Sequence, residues 1–432
     1  MAKKKSLEYG STPSSFLYLG IGSGIAITIS RLIFGLKIRR DKEVCKMPGP
    51  LICVGNHPSY LDPIIMATLL FGRKINFVAG SFIFRNRIIG PLFIRGGCIP
   101  KMQYQSDSRA VKGMLKVLKN KGTLGIFPEA TRLVDGTSIY FDDALARMIK
   151  KTDSSVAVMA SHGSYMSWPR WTKSGFRRGR ITAEIKSILP AERVADMSVA
   201  QIHEYLLEQM KYNEYEWFAK HPRSFKNRAI AAGAENIAHA CPKCEKDNVM
   251  QSEKNMLICS SCGNCAVMAT TGFFSPGNPD DVIFEDIHKW VKWQKKRTEQ
   301  AIVQSDFQIS EPTDLHMPVN EYAFALVGQG ILSVRDGCIF YIGTQCDQDK
   351  GIAAKKLKAK DREAFLSNNL DTPKVSKCFP IERLRGVKVS YGKYIELSEK
   401  DGQINRFLLQ NGQRVYEIQS AIQMLQKSQR DE

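Results

Sequence analysis

Three short stretches of this 432-residue chain carry residue types that can do chemistry. In "CVGNHPSYLDP" (Cys53–Pro63) His57 and Asp62 stand five apart, just after an apolar run. A histidine oriented by a carboxylate can take a proton from a hydroxyl, the carboxylate fixing the tautomer. The stretch also has a plain structural reading. Ser59 and Asp62 match a helix-capping pattern, which leaves His57 in a loop. Further on, "PEATR" sets Glu129, Ala130, Thr131 and Arg132 behind a second apolar run. Arg132 offers a planar fork suited to a phosphate. Glu129 could orient that arginine or an acceptor hydroxyl, or the two could form a salt bridge inside a turn. The third stretch holds two Cys-x-x-Cys pairs, Cys241/Cys244 and Cys259/Cys262. That pattern places four thiolates tetrahedrally around Zn²⁺ on two hairpin knuckles, with Gly263 fitting the second. Four ligands close the coordination shell, so the zinc is expected to be structural, and Cys265 is left over.

The elements that must position these residues alternate. Pro48 and Pro50 break the chain before a buried strand at Leu51–Val54, and a helical pattern follows through Leu70. "KINFVAG", "TLGIFP", "SVAVMAS" and "GRITAEIKSILP" read as further strands. Between them Ser106–Asn120 reads as a basic amphipathic helix with Val111, Leu115 and Leu118 on one face, and Asp142–Lys151 as another helix. Ser198–Tyr212 closes this part. Strands alternating with helices predict an α/β fold with a mostly parallel sheet. Ligands in such sheets bind beyond the carboxyl ends of the strands, where His57 and Glu129–Arg132 would both sit. A helix is expected around Glu285–Glu299. From about Pro318 the pattern changes to short strand-like runs, with turn signals at Arg335–Gly337 and Lys400–Gly402. A last helix puts Val415, Ile418, Ile422 and Leu425 on one face. This order suggests a pleckstrin-homology-like or related lipid-binding barrel.

The net charge is +19, and between Cys45 and Pro190 there are 22 Lys and Arg against 8 Asp and Glu. Such a field favours an anionic partner. "SYMSWPRWTKSGFRRGR" (Ser164–Arg180) mixes Trp168, Trp171 and Phe176 with basic residues. It suits an anionic membrane interface, single-stranded nucleic acid or a plain solvated loop. His162 just before it reads as a loop or core histidine. The segment between the two knuckles is not strongly basic, which counts against nucleic acid. Near the N-terminus "FLYLGIGSGIAITI" (Phe16–Ile29) is apolar and flanked by lysines and arginines. It reads as an embedded or interfacial anchor, since glycines and Arg31 weaken it as a spanning helix.

"NHPSYLD" followed by "FPEATR" resembles the glycerolipid acyltransferases, the lysophosphatidate acyltransferases and their relatives. The likeness covers roughly Leu51 to Pro190, and "GPLFIRGGCIP" and "SSVAVMASH" resemble the family's second and fourth blocks. The resemblance implies that His57 is a general base, Asp62 its orienting partner, and Glu129, Thr131 and Arg132 the holders of the acceptor phosphate. It implies transfer from acyl-CoA or acyl carrier protein to the hydroxyl of a lysophospholipid, with 1-acyl-glycerol-3-phosphate the default. Two departures stand out. Ala130 replaces a glycine, which matters if that position needs a positive φ. Gln103 stands about where the family's second block has an arginine, leaving Lys101 or Arg95 to supply the charge.

The expected plan is an anchor at 1–44, the acyltransferase domain at 45–215, a linker and zinc ribbon at 216–275, a helical linker at 276–315, and a β-rich pleckstrin-homology-like domain at 316–432. The expected setting is the cytoplasmic face of a membrane, with no nucleic-acid partner. The alternatives are a non-catalytic zinc-ribbon membrane adaptor on the same fold, or acylation of a different lysophospholipid.

Overall fold

The computed structural model describes residues 9–15, 18, 24–85, 89–102, 107–320, 323–347, 351–353, 362 and 374–431. The chain splits into two compact units. Unit 1 is Met1–Ile230 with Thr270–Gly272, and unit 2 is Ala231–Ala269 with Phe273–Glu432.

Unit 1 has strands β1 (Leu51–Gly55), β2 (Asn76–Gly80), β3 (Ile99–Lys101), β4 (Thr123–Ile126), β5 (Ser155–His162), β6 (Arg178–Gly179), β7 (Thr182–Leu189) and β8 (Phe225–Lys226). Its helices are α1 (Ala26–Phe34), α2 (Lys42–Lys46), α3 (Asp62–Leu69), α4 (Ile89–Arg95), α5 (Ser108–Lys119), α6 (Ala144–Thr152), α7 (Ser164–Ser167), α8 (Ala191–Asp196), α9 (Val199–Met210) and α10 (Glu214–Lys220). The main sheet runs β3-β2-β4-β1-β5-β7 and is parallel except for β7, which pairs antiparallel with β5. The five residues of β1 are all buried, which is why "LICVG" reads as a continuous apolar run. Ile52, Val54, Val156 and Val158 pack against Met114, Val117, Leu145, Ile149 and Leu206 from the helices. Because β1 lies between β4 and β5, the loops that leave all three emerge together at one edge of the sheet.

Two expectations are corrected here. The buried stripe of α5 is Ala110, Gly113, Met114, Val117 and Leu118, while Val111 is 40% exposed. The helix is turned so that small residues face inward. A Cβ on Gly113 would come within 2.8 Å of Tyr9, so this face tolerates no bulk. The Ser164–Arg180 stretch is not a solvated loop throughout. Trp171 is buried with its Nε1 donating to Tyr165 Oη at 2.9 Å. Arg177 is 1% exposed and donates to the carbonyls of Met166 and Ile230.

Of the expected anchor, residues 1–8, 16–17 and 19–23 lie outside the described residues. Among the described residues no helix is long and apolar enough to cross a membrane. Unit 1 also takes back a three-residue tongue. The Phe225 N–H donates to Thr270 O at 2.7 Å, and a Cβ on Gly272 would meet Met166 Sδ at 2.5 Å.

Unit 2 begins with an antiparallel sheet of β9 (Met250–Glu253), β10 (Met256–Cys259), β11 (Cys265–Met268) and β12 (Phe274–Pro276). Helix α11 (Ile287–Ala301) follows. The larger antiparallel sheet holds β13 (Ile309–Asn320), β14 (Ala323–Arg335), β15 (Cys338–Thr344), β16 (Ile352–Ala353), β17 (Lys374–Pro380), β18 (Leu384–Ser390), β19 (Tyr394–Glu399) and β20 (Ile404–Leu409). Helix α12 (Arg414–Asp431) ends the chain, with Val415, Ile418 and Ile422 fully buried and Leu425 partly so, as the spacing predicts. Asp336 and Gly337 take positive φ at the β14–β15 turn, as a tight hairpin requires.

The 276–315 stretch does not act as a linker. Helix α11 buries Ile287, Trp290, Val291 and Gln294 on one face. Trp290 Nε1 donates to Ala240 O, Gln294 Nε2 donates to Ile237 O, and Gln294 Oε1 accepts from the Ala240 N–H. Gln413 Nε2 donates to Met250 O, and Asn248 Nδ2 to Glu417 Oε2. The small sheet, α11 and the larger sheet therefore belong to one unit.

Candidate active site

The turn after β1 carries His57, and α3 begins at Asp62 with Pro63 in its first turn. His57 Nδ1 lies 2.7 Å from Asp62 Oδ2. The Asp62 side chain is fully buried and that of His57 is 23% exposed. Asp62 Oδ2 also accepts from the Ser59 N–H at 2.8 Å, and Ser59 Oγ accepts from the Leu61 N–H at 3.0 Å. One carboxylate oxygen thus serves both His57 and the Ser59 N–H, while the N-cap of α3 is Leu61 with no side-chain cap, so the expected Ser59 cap of this helix does not form. With Nδ1–H given to Asp62, His57 presents the lone pair of Nε2 for a hydroxyl proton. The imidazole stacks on Phe127 with centroids 4.8 Å apart, which fixes the ring plane.

The turn after β4 supports this pair from the adjacent strand. Glu129 is 5% exposed. Its Oε2 accepts from the His57 N–H at 2.8 Å and its Oε1 from the Ile139 N–H at 3.1 Å. In return the Leu133 N–H donates to His57 O at 2.9 Å. Glu129 is therefore a brace between two loops, set under the backbone of His57. Burial pushes its carboxyl up to about 8, against the two N–H donors, which pull it down.

Ala130 sits at φ 56°, in the left-handed region. The departure from glycine at this position is therefore a real strain of about 1–2 kcal/mol. Thr131 Oγ1 accepts from Arg170 Nη1 at 2.6 Å. The Arg132 guanidinium lies 3.6 Å over the Tyr60 ring. Tyr60 in turn packs edge-on to Trp168 at 5.1 Å. His57, Asp62, Glu129, Thr131 and Arg132 all lie on two neighbouring turns.

Lys101 ends β3, three strands away from β1, a lateral offset on the order of 14 Å. Arg95 ends α4 and is exposed. Neither makes a described contact with His57 or Asp62. Gln103 lies outside the described residues.

In unit 2 the sulfurs of Cys241, Cys244, Cys259 and Cys262 lie within 4.8 Å of one another. Cys241 and Cys262 Sγ are 3.7 Å apart, and Cys244 and Cys259 Sγ 3.8 Å. Four thiolates at Zn–S bonds of ~2.3 Å in a tetrahedron stand about 3.8 Å apart, so the set fits a zinc ion.

The family model described as acyltransferase matches residues 38–162. Over these residues the chain is similar to acyltransferases. The chloroplastic 1-acyl-sn-glycerol-3-phosphate acyltransferases of Arabidopsis thaliana and Brassica napus are 26% and 24% identical over 163 residues, 37% of this chain. The match takes in 45% and 46% of those proteins, under half of their length. Among solved structures, the 1-acyl-sn-glycerophosphate acyltransferase PlsC from Thermotoga maritima aligns over 46% of this chain and 80% of its own, at 19% identity and a TM-score of 0.38.

Sequence reasoning missed two residues beside the His57–Asp62 pair. Ser164, fully buried in the turn after β5, donates to Asp62 Oδ1 at 2.6 Å. Glu214, also fully buried, accepts from the Gly163 N–H at 2.8 Å and from Tyr212 Oη at 2.6 Å. Burial lifts the Glu214 carboxyl to about 7. The available signal was positional. "HGS" leaves β5, the strand beside β1, so its serine arrives at the same edge of the sheet. His162 is a packed histidine, stacked on Trp217 and bonded to Tyr212 Oη at 3.0 Å. Burial lowers its affinity for a proton.

Proposed function

We propose that this chain is a membrane-associated acyltransferase that moves an acyl group from a thioester, on coenzyme A or acyl carrier protein, to the free hydroxyl of a lysophospholipid. The acceptor is 1-acyl-glycerol-3-phosphate and the product phosphatidate. The observation that carries the reading is the 2.7 Å bond between a part-exposed His57 and a fully buried Asp62. His57 Nε2 takes the proton of the hydroxyl as its oxygen attacks the thioester carbonyl. The tetrahedral adduct collapses with loss of the thiolate, which receives the proton from His57. Asp62 holds the ring and balances its transient charge. Thr131 and Arg132, beside Arg170, receive the acceptor phosphate, while Glu129 braces the histidine.

A membrane setting is supported by Ile25, Ile29, Leu32 and Ile33, exposed on and just before α1, and by exposed Tyr60 and Phe176. Phe176 packs edge-on to Phe34 of α1 at 4.8 Å. With the basic residues of unit 1, this face suits the anionic surface of a cytoplasmic leaflet, with α1 lying in the interface. Cys241, Cys244, Cys259 and Cys262 hold a structural Zn²⁺, which supplies folding energy and takes no part in the reaction. The larger sheet of unit 2 serves as a pleckstrin-homology-like module.

The test is acyl transfer by the purified full chain in lipid. A panel of lysophospholipids is offered with acyl-CoA and with acyl carrier protein, and products are read by mass. His57→Ala is expected to lower the rate ~10²–10⁴-fold. Absence of product from every pairing, with folded protein, would move the reading to the adaptor.

A further inference from the structure

Asp62 is held from two directions, and one of them comes from outside the segment that matches the family model. Oδ2 takes His57 Nδ1 and the Ser59 N–H. Oδ1 faces two hydroxyls, Ser164 Oγ at 2.6 Å and Ser59 Oγ at 3.3 Å. The two serine oxygens are themselves 2.7 Å apart. Each serine has one hydroxyl proton. Ser164 spends its proton on the short bond to Asp62, and the nearer acceptor for Ser59 is then Ser164 Oγ. The hydroxyls form a chain from Ser59 to Ser164 to Asp62, and such chains strengthen each member.

Ser164 can act this way because its turn is pinned. Gly163 takes φ 88° at the end of β5, where a Cβ would meet Arg180 O and Phe225 Cζ at 2.8 Å. Its N–H is fixed on Glu214, and the Ser167 N–H donates back to Gly163 O. A buried carboxylate needs its lone pairs filled. Filling Oδ1 from Ser164 leaves Oδ2 to His57 and the Ser59 N–H, which fixes the orientation of the carboxylate toward the imidazole.

We propose that Ser164 is a positioning residue for the acid–base pair, acting on His57 through Asp62. This rests on the reading of His57 and Asp62 as the reacting pair. Its signature is in turnover and not in acceptor binding, since Ser164 is buried behind Asp62.

The experiment measures kcat and KM of the full chain with lysophosphatidate and acyl-CoA, for Ser164→Ala, Asp62→Asn and the double variant, beside His57→Ala. Ser164→Ala is expected to lower kcat roughly 10- to 100-fold, the worth of a hydrogen bond to a charged group. KM should stay within about twofold. In the Asp62→Asn background the same change should lower kcat by less than about twofold, because its route to His57 is already cut. Equal losses in both backgrounds, or a change in KM alone, would overturn the proposal. Thermal unfolding is checked first. If Ser164→Ala does not fold, Ser164→Cys, which fills the site with a weaker donor, is measured in both backgrounds against the same two outcomes. A dead His57→Ala with additive Ser164 and Asp62 losses sinks this proposal alone. A fully active His57→Ala sinks the acid–base reading and this proposal with it.

Discussion

The four thiols of unit 2 come from two short turns, and their sulfurs gather within 4.8 Å. The His57–Asp62 pair of unit 1 is equally local along the chain, yet its supports are not. Glu129 reaches the His57 N–H across 72 residues and Ser164 reaches Asp62 across 102. The difference separates two kinds of site. A metal centre is defined by its ligands, and spacing alone can announce it. An acid–base pair is defined by what holds it, and the holders are chosen by strand order.

The sharpest way to break this comparison is to exchange the kinds of damage. On the proposal that the four cysteines hold zinc, Cys241→Ser should cost unit 2 that ion, worth on the order of 10 kcal/mol of folding energy. That is comparable with the whole stability of a domain, so the unfolding transition of unit 2 should be lost with the zinc. His57→Ala should leave the melting curve in place and take only activity. Equal zinc content in wild type and Cys241→Ser, measured by elemental analysis, would remove the basis of the contrast.

A smaller effect tests the supports of unit 1. Burial lifts Glu129 to about 8 and Glu214 to about 7, both from 4.5. Each binds its proton more tightly folded than unfolded. Their contribution to stability is therefore full below pH 4.5 and fades as the pH rises through about 7 to 8. Melting temperature should fall between about pH 5 and pH 8. Glu214→Gln keeps an oxygen for the Gly163 N–H and removes the titration, so it should flatten part of that fall between about pH 4.5 and pH 7, leaving the part from about pH 7 to pH 8 to Glu129. Parallel slopes in the two proteins would show that Glu214 carries none of it.

The smallest expected effect is a gain. Ala130→Gly relieves a left-handed alanine at the cost of extra chain freedom, a net of roughly 0.5–1 kcal/mol. That is a rise of about 1–4 °C in melting temperature for a unit of this size. An unchanged or lower value would mean that the φ of 56° is held without strain.

Much of the plan could be read from residue types alone. Buried parallel strands announce themselves as apolar runs, as "LICVG" does, and the Cys-x-x-Cys pairs needed no fold to be recognised. The stripe of α5 could not be read the same way. Its inward face was selected by lack of bulk at Ala110 and Gly113, and a hydrophobicity pattern favours Val111 instead. Helix α11 looked like a connector because its buried face includes Gln294, a polar side chain that earns its place on the backbone of Ile237 and Ala240. By residue type and spacing Glu129 is a partner for Arg132 or for an acceptor hydroxyl. Its actual partners, two backbone N–H groups that donate to it, leave no mark in the sequence. Ser164 is one buried serine among several, and only the neighbourhood of β1 and β5 singles it out.

The tongue Thr270–Gly272 bears on anyone who cuts the gene. A fragment ending at residue 230 looks like the whole of unit 1, but it would leave the Phe225 N–H without its carbonyl and uncover Met166 in the turn that carries Ser164. Libraries of truncations, domain swaps and fusions should therefore keep the chain at least through Gly272, and a shortened enzyme with poor turnover would say more about where it was cut than about its chemistry.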